Sequence, residues 1–286
     1  MHLYKAVVIV FLCEIGIVLS NGEEWQLPLD IEEESNEELH RLNEVDTNQV
    51  RLISASNNLS TDGYEVYPGQ FPYHAIVNIK NDREASTTLS SGSLITPNYI
   101  LTCALGLHKH QNTYGFVELG YRYRADREWQ QVIDFTRSGI NIHPQFTGGS
   151  LNNIATIRLE HPVTLNRYVQ PIRLPRLSDT RTFEMMEGTS PGRQYNGTMR
   201  YLRNQIMSND DCRMNTQFIC TNAYIGGAFC NRVDGAGLVV EDESGPILIG
   251  LTNLIYSCSV NNSILYMRLS LLRDWIANSS NYVFDF

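Results

Sequence analysis

At 286 residues, 42% of them hydrophobic, the chain is long enough to bury a proper core in one large all-β domain or two smaller ones. Its formal charge of −9 is confined to one region: residues 21–50 hold ten acids and one base, whereas residues 51–286 hold twenty of each. An acidic tail on a neutral body argues against nucleic acid or heparin as a partner.

In chain order, residues 1–20 read as a signal peptide. "MHLYK" is a short basic start, "AVVIVFLCEIGIVL" an apolar run, and small residues follow in "VLSNG", with cleavage expected after Ser20 or Gly22. The run is short and interrupted by Glu14, which disfavours a membrane anchor, and no later segment is long and apolar enough to span a bilayer. The mature chain is therefore expected to be soluble and extracellular. Residues 21–59, with "DIEEESNEEL", form an acidic extension expected to stay disordered or loosely helical. It is either a solvating leader or an arm for a basic partner, and Arg41 and Arg51 are the candidate cut points if it is removed.

From about residue 64 the pattern changes to short apolar runs separated by Gly, Pro, Asn and Asp. "HAIVNIK", "SGSLI", "YILTCAL", "FVELGY", "QVIDFT", "NIATIRLE", "GLVVED" and "PILIGLTNL" read as strands of four to nine residues. Only "LSLLRDWIANSS" has helical spacing, with Leu269, Leu272 and Ile276 on one face. Many strands without alternating helices predict a sandwich or barrels. Beyond the signal there are five cysteines, Cys103, Cys212, Cys220, Cys230 and Cys258. Four cluster in the C-terminal third, which suits two disulfides in an oxidising compartment; sequence alone permits three pairings. N-glycosylation sequons stand at Asn58, Asn196, Asn261 and Asn278.

Several phrases, read in order, resemble the chymotrypsin-like serine proteases. They are "YPGQFPYHAIV", "SGSLITPNYILT", "INIHPQF" with "NNIATIRLEHPV" and "NRYVQPIRLP", "IMSNDDC", and "LYMRLSLLRDWI". The resemblance spans about residues 60–286. It implies an all-β fold of two six-stranded antiparallel β-barrels, with the active site in the cleft between them and a C-terminal α-helix. By the same pattern Cys212 pairs with Cys220 and Cys230 with Cys258.

The chemistry of that family needs a serine, an imidazole to take its proton, and a buried carboxylate to hold the imidazole. The family phrase Leu-Thr-Ala-Ala-His-Cys reads "LTCALG" here, placing Leu105 at the histidine and Gly106 at the cysteine. The partner of that cysteine is replaced by Ser90, so both halves of one disulfide are missing together. Asp-Ile-Ala-Leu reads "NIAT", placing Asn153 at the acid. "CNRVDGAGLVV" matches the nucleophile phrase without a gap and puts Asp234 at the serine, Val233 at the aspartate that answers activation cleavage, and Arg232 at an oxyanion-hole glycine. Ser244, in the tempting "EDESGP", is rejected because too few residues then separate it from Cys258. No basic residue precedes an Ile-Val-Gly-Gly cut site; Leu59 and Ser60 stand there. Ile255 and Ile264 fall where the family has pocket-lining glycines, and their side chains are expected to occlude the pocket.

The remaining candidates carry blander readings. His108 and His110 form a His-x-His with no third ligand, which predicts exposed loop residues rather than a metal site. His74 and His143 sit in strand and turn contexts, and Cys103 is expected to be a buried small hydrophobe. No cofactor or metal is implied. The resemblance thus points to a secreted, catalytically inactive serine protease homologue of the kind found in arthropod haemolymph and saliva. Such a protein is expected to act by binding an extracellular protein: a protease, an inhibitor or a cascade component. The six-cysteine clip domain carried by many such homologues has no counterpart in the N-terminal region here. An active endopeptidase with unorthodox residues and a structural or storage protein are the competing classes.

Overall fold

The computed structural model describes residues 63–81, 84–108, 113–121, 129–194, 197–223, 234–253 and 263–286. They belong to a compact unit spanning Leu59–Phe286. The expected signal peptide and acidic extension lie outside the described residues, as do Asn58, Asn196, Asn261, His110, Cys230, Arg232, Val233, Ile255 and Cys258.

Fourteen antiparallel strands are described, in two curled sheets. In chain order, β1 (Tyr64–Glu65) joins the second sheet. The first sheet is then built by β2 (His74–Asn81), β3 (Glu84–Thr96), β4 (Tyr99–Thr102), β5 (Thr113–Leu119), β6 (Gln131–Phe135), β7 (Ile140–Ile142) and β8 (Ala155–Arg158), in the spatial order β6-β5-β2-β3-β4-β8-β7. The second contains β9 (Glu187–Arg193), β10 (Met199–Gln205), β11 (Phe218–Thr221), β12 (Gly237–Asp242), β13 (Gly245–Thr252) and β14 (Ile264–Arg268), in the order β1-β10-β9-β12-β13-β14-β11. Each sheet has seven strands where six were expected. Short edge pieces, two residues in β1 and three in β7, account for short additional ladders.

Both sheets curl back on themselves. In the second, a bridge between Ile206 and Thr221, with Met207 N–H donating to Cys220 O at 2.9 Å, returns β11 to the end of β10. In the first, Glu160 N–H donates to Asp134 O at 3.0 Å, drawing the chain after β8 onto the edge strand β6. This pairs one backbone carbonyl on an otherwise open edge.

Alternation places the cores. Ala75, Val77 and Ile79 of β2 point into the first sheet with Leu94, Ile100, Val117, Leu119 and Ile157, all buried. Leu238, Val240, Ile247 and Ile249 fill the second. A further core joins the two: Leu101 and Ile154 from the first sheet meet Val239, Leu248, Leu251 and Met267 from the second. The predicted C-terminal helix spans Arg273–Ser279 after a 3-10 turn at Leu269–Leu271, and Leu269, Leu272 and Ile276 are buried in this shared core.

Candidate functional site

The three positions singled out in the sequence come together where the sheets meet. Past the end of β4 the chain turns into a one-turn helix, Leu105–His108, whose start is set by Leu107 and His108 N–H groups both donating to Ala104 O at 2.9 Å. Leu105 is half-buried and packs against the first core. Asn153 precedes β8, follows a left-handed Asn152 (φ 53°), and is 1% exposed. Asp234 reaches the same place from the other sheet. Its carbonyl accepts from Ser90 Oγ and from Ser91 N–H, both at 2.8 Å. Gly235 makes that approach possible: φ is +83°, and an added Cβ would lie 2.3 Å from Ser91 O and 2.9 Å from Cys103 N.

A residue that the sequence reading passed over organises the centre. Asn253, just past β13 and 1% exposed, accepts from Asn153 Nδ2 at 2.7 Å and donates from its own Nδ2 to Ser150 O at 2.7 Å. Asn153 Oδ1 in turn accepts the N–H of Leu105 at 2.9 Å. Nothing in "GLTNLI" marks this asparagine from another turn residue; only the meeting of β13 with the 150–153 loop gives it a role.

Cys103 is 1% exposed, with its Sγ 3.5 Å from Ser90 Oγ and the backbone N–H groups of Gly106 and Leu105 close by. The thiol lies between Ser90 and Gly106, the two positions at which the resemblance implies a disulfide. Burial, then the Asp234 carboxylate, pushes its pKa up to about 11, against the opposing pull of Ser90 and the two backbone N–H groups. It is a protonated thiol held as a packing group.

Chemically, the cluster offers a side chain with no basic atom, a neutral amide and a carboxylate. Among the described residues no histidine shares a hydrogen bond with a serine hydroxyl or a carboxylate. His74 is buried and neither ring nitrogen has a partner; burial lowers its pKa to about 4. His108 is exposed, edge-on to Phe146 at 5.1 Å between centroids. His143 packs on Trp275 at 5.3 Å, and its Nδ1 accepts from Gln145 N–H at 3.3 Å. His161 is exposed, its Nδ1 3.4 Å from Pro162 O. Ser244 is an exposed turn residue between β12 and β13, its N–H donating to Asp242 Oδ1 at 2.8 Å. The eight residues of β13 separate it from Asn253, roughly 25 Å along an extended strand.

Around the site, Cys212 and Cys220 form a disulfide, with Cα atoms 5.6 Å apart. Ile264 is buried at the start of β14 within the second core. Asn278 lies on the exposed face of the C-terminal helix. No group of three or more metal-ligating side chains occurs among the described residues, and none of their helices is long and apolar enough to cross a membrane.

A family model described as Trypsin matches residues 60–276. The chain is 27% identical over 238 residues to a collagenase of Hypoderma lineatum, covering 78% of this chain and 88% of that protein. It is 24% identical over 233 residues to a protein of Anopheles gambiae named inactive CLIP domain-containing serine protease A8, covering 73% of this chain and 64% of that one. The fold superposes on a solved structure of HL collagenase with a TM-score of 0.67 at 26% identity, covering 78% of this chain and 99% of the other. Two curled antiparallel sheets meeting at a shared core, and a family match across most of the described residues, place this chain in the trypsin-like serine protease family.

Proposed function

We propose that this protein is a non-catalytic member of the family, secreted, which acts by binding another extracellular protein as a regulator, decoy or cofactor of a proteolytic pathway. The observation that carries the reading is the hydrogen bond from Leu105 N–H to Asn153 Oδ1. It puts a leucine and an amide side by side where proton transfer would need an imidazole and a carboxylate. The leucine side chain has no group that accepts or releases a proton, and an amide does not stabilise a neighbouring imidazolium. Asp234 adds a carboxylate beside them, with no described base to activate a nucleophile. The likeness to a relative named as inactive supports the same reading. A rigid two-sheet scaffold keeps its surface loops in place without the chemistry, which suits a role in recognition.

The test uses the purified mature protein. No covalent labelling by a fluorophosphonate serine-hydrolase probe and no cleavage of a mixed peptide library are expected, whereas labelling or cleavage would overturn the reading. A pull-down from the fluid into which the protein is secreted, with and without residues 21–50, is expected to yield a saturable protein partner. A failure to find any saturable partner would favour a structural or storage role. Equal capture by both forms would assign binding to the scaffold rather than to the acidic extension.

A further inference from the structure

The hydrogen bonds through Asn153 have a direction that both ends dictate. At one end stands the backbone N–H of Leu105, which only donates; at the other stands the backbone carbonyl of Ser150, which only accepts. Between them two side-chain amides are linked in series, Asn153 Nδ2 to Asn253 Oδ1 at 2.7 Å, and both residues are 1% exposed. One orientation of each amide satisfies the chain. Flipping Asn153 sets its N–H groups against the Leu105 N–H, and flipping Asn253 sets its oxygen against the Ser150 carbonyl. Position 153 must therefore accept on one side and donate on the other. An amide does both, and so does a protonated carboxylic acid. A carboxylate only accepts.

We propose that Asn253 is a positioning residue which, through this amide ladder, holds position 153 uncharged and clamps the 150–153 loop between the helix Leu105–His108 and the end of β13. The ladder joins segments of both sheets at the candidate site without any ionised group. Its meaning for catalysis rests on the reading of Asn153 as the lost acid of the triad; the polarity argument does not. A carboxylate returned to position 153 alone keeps the Leu105 N–H on one oxygen but sets the other against the Asn253 oxygen at hydrogen-bonding distance, and flipping Asn253 only moves that clash to the Ser150 carbonyl. The loss of charge is held in place by two residues rather than one.

Four forms of the full mature chain decide the matter: wild type, Asn153→Asp, Asn253→Ser and the double variant, each unfolded by denaturant at pH 8 and pH 4.5. Relative to wild type, N153D is expected to raise the unfolding constant about 100-fold at pH 8. The folded-state pKa of the new carboxyl lies above its unfolded value through burial, the missing donor and the neighbouring Asp234 carboxylate, while the Cys103 thiol stays protonated throughout, so the penalty is present at high pH and is lost as pH falls and the proton restores a donor. At pH 4.5 most of the 100-fold should therefore disappear. In N253S the opposing amide oxygen is removed and a hydroxyl free to rotate replaces it, so adding N153D to that variant is expected to cost less than about tenfold, a non-additive cycle. Additive losses that do not change with pH would overturn the ladder, because packing damage alone behaves that way. If N153D does not fold at pH 8, folding at pH 4.5 or in the double variant supports the proposal, and failure in both counts against it. Labelling of wild type by the fluorophosphonate probe would sink the non-catalytic reading without altering this cycle, so the two ideas fail separately.

Discussion

Cys103 shows how one side chain's surroundings decide its chemistry. A free thiol invites pairing or oxidation, yet this one is 1% exposed and its pKa is pushed up to about 11. Both conditions suppress the thiolate, which is the reactive form. The native protein is therefore expected to react with a disulfide reagent such as dithionitrobenzoate at least about 100-fold more slowly than the denatured protein. Native labelling at the denatured rate would show that the segment opens. A cysteine on a predicted strand, at a position the family fills with alanine, made burial legible in the sequence. The contact with Ser90 was not, because the two stand thirteen positions apart across the β3–β4 hairpin and only strand pairing brings them together.

At the scale of elements, the Cys212–Cys220 bridge fastens the short helix Asn209–Cys212 to β11. The helix is capped by Ser208, whose Oγ accepts from Asp211 N–H at 3.1 Å, but four residues do not form a stable helix alone. Closing a loop of eight residues removes chain entropy worth about 2.5 kcal/mol from the unfolded state. Replacing both cysteines by alanine is expected to lower unfolding free energy by about 2–3 kcal/mol in a denaturant titration. An unchanged midpoint would mean that β11 is held by its ladder alone. Several strands were legible from apolar runs, but β9 was not. Its sequence, "EGTSPGR", is built of turn formers, yet it pairs with β10 in register from Glu187↔Gln205 to Arg193↔Met199. Tertiary pairing overrides local preference there, since β10 and β12 flank it on both sides.

For the whole molecule, the joint between the sheets carries a titrating group. His74 is cross-strand to Ser93, whose Oγ lies 2.8 Å from where a Cβ on Gly237 of the other sheet would stand. His74 is 3% exposed, and burial alone lowers its pKa from 6.5 to about 4. The unfolded chain binds this proton near pH 6.5 and the folded chain does not until about pH 4. The contribution is therefore fully present above pH 6.5 and is lost as pH falls toward 4, by about 3 kcal/mol. Asp179 and Asp242 act in a lower window. Arg181 holds the Asp179 carboxyl below the ordinary carboxylate range. For Asp242 burial pushes upward but is outweighed by the Ser244 N–H, Arg181 and Arg173. Their stabilisation is present above the ordinary carboxylate pKa and is lost as pH falls through the depressed values. His74→Gln is expected to flatten the fall in stability between pH 6.5 and 4 while leaving the steeper loss at lower pH. An unchanged slope in that window would exclude His74 as its source.

The sequence by itself determined which chemistry is present: no histidine at position 105, an amide at 153 and an acid at 234, each readable from a short phrase whose order carries meaning. It also determined the all-β class, because strand periodicity and turn residues are local properties of the chain. The tertiary structure decided what those residues do to one another. Asn253 joins the site only because the end of β13 reaches the 150–153 loop of the other sheet, and the need for an uncharged group at position 153 follows from the backbone donor and acceptor at the two ends of the ladder. Hydrogen-bond polarity across a hundred residues of separation is set by how the sheets meet, and no local pattern in the chain encodes it.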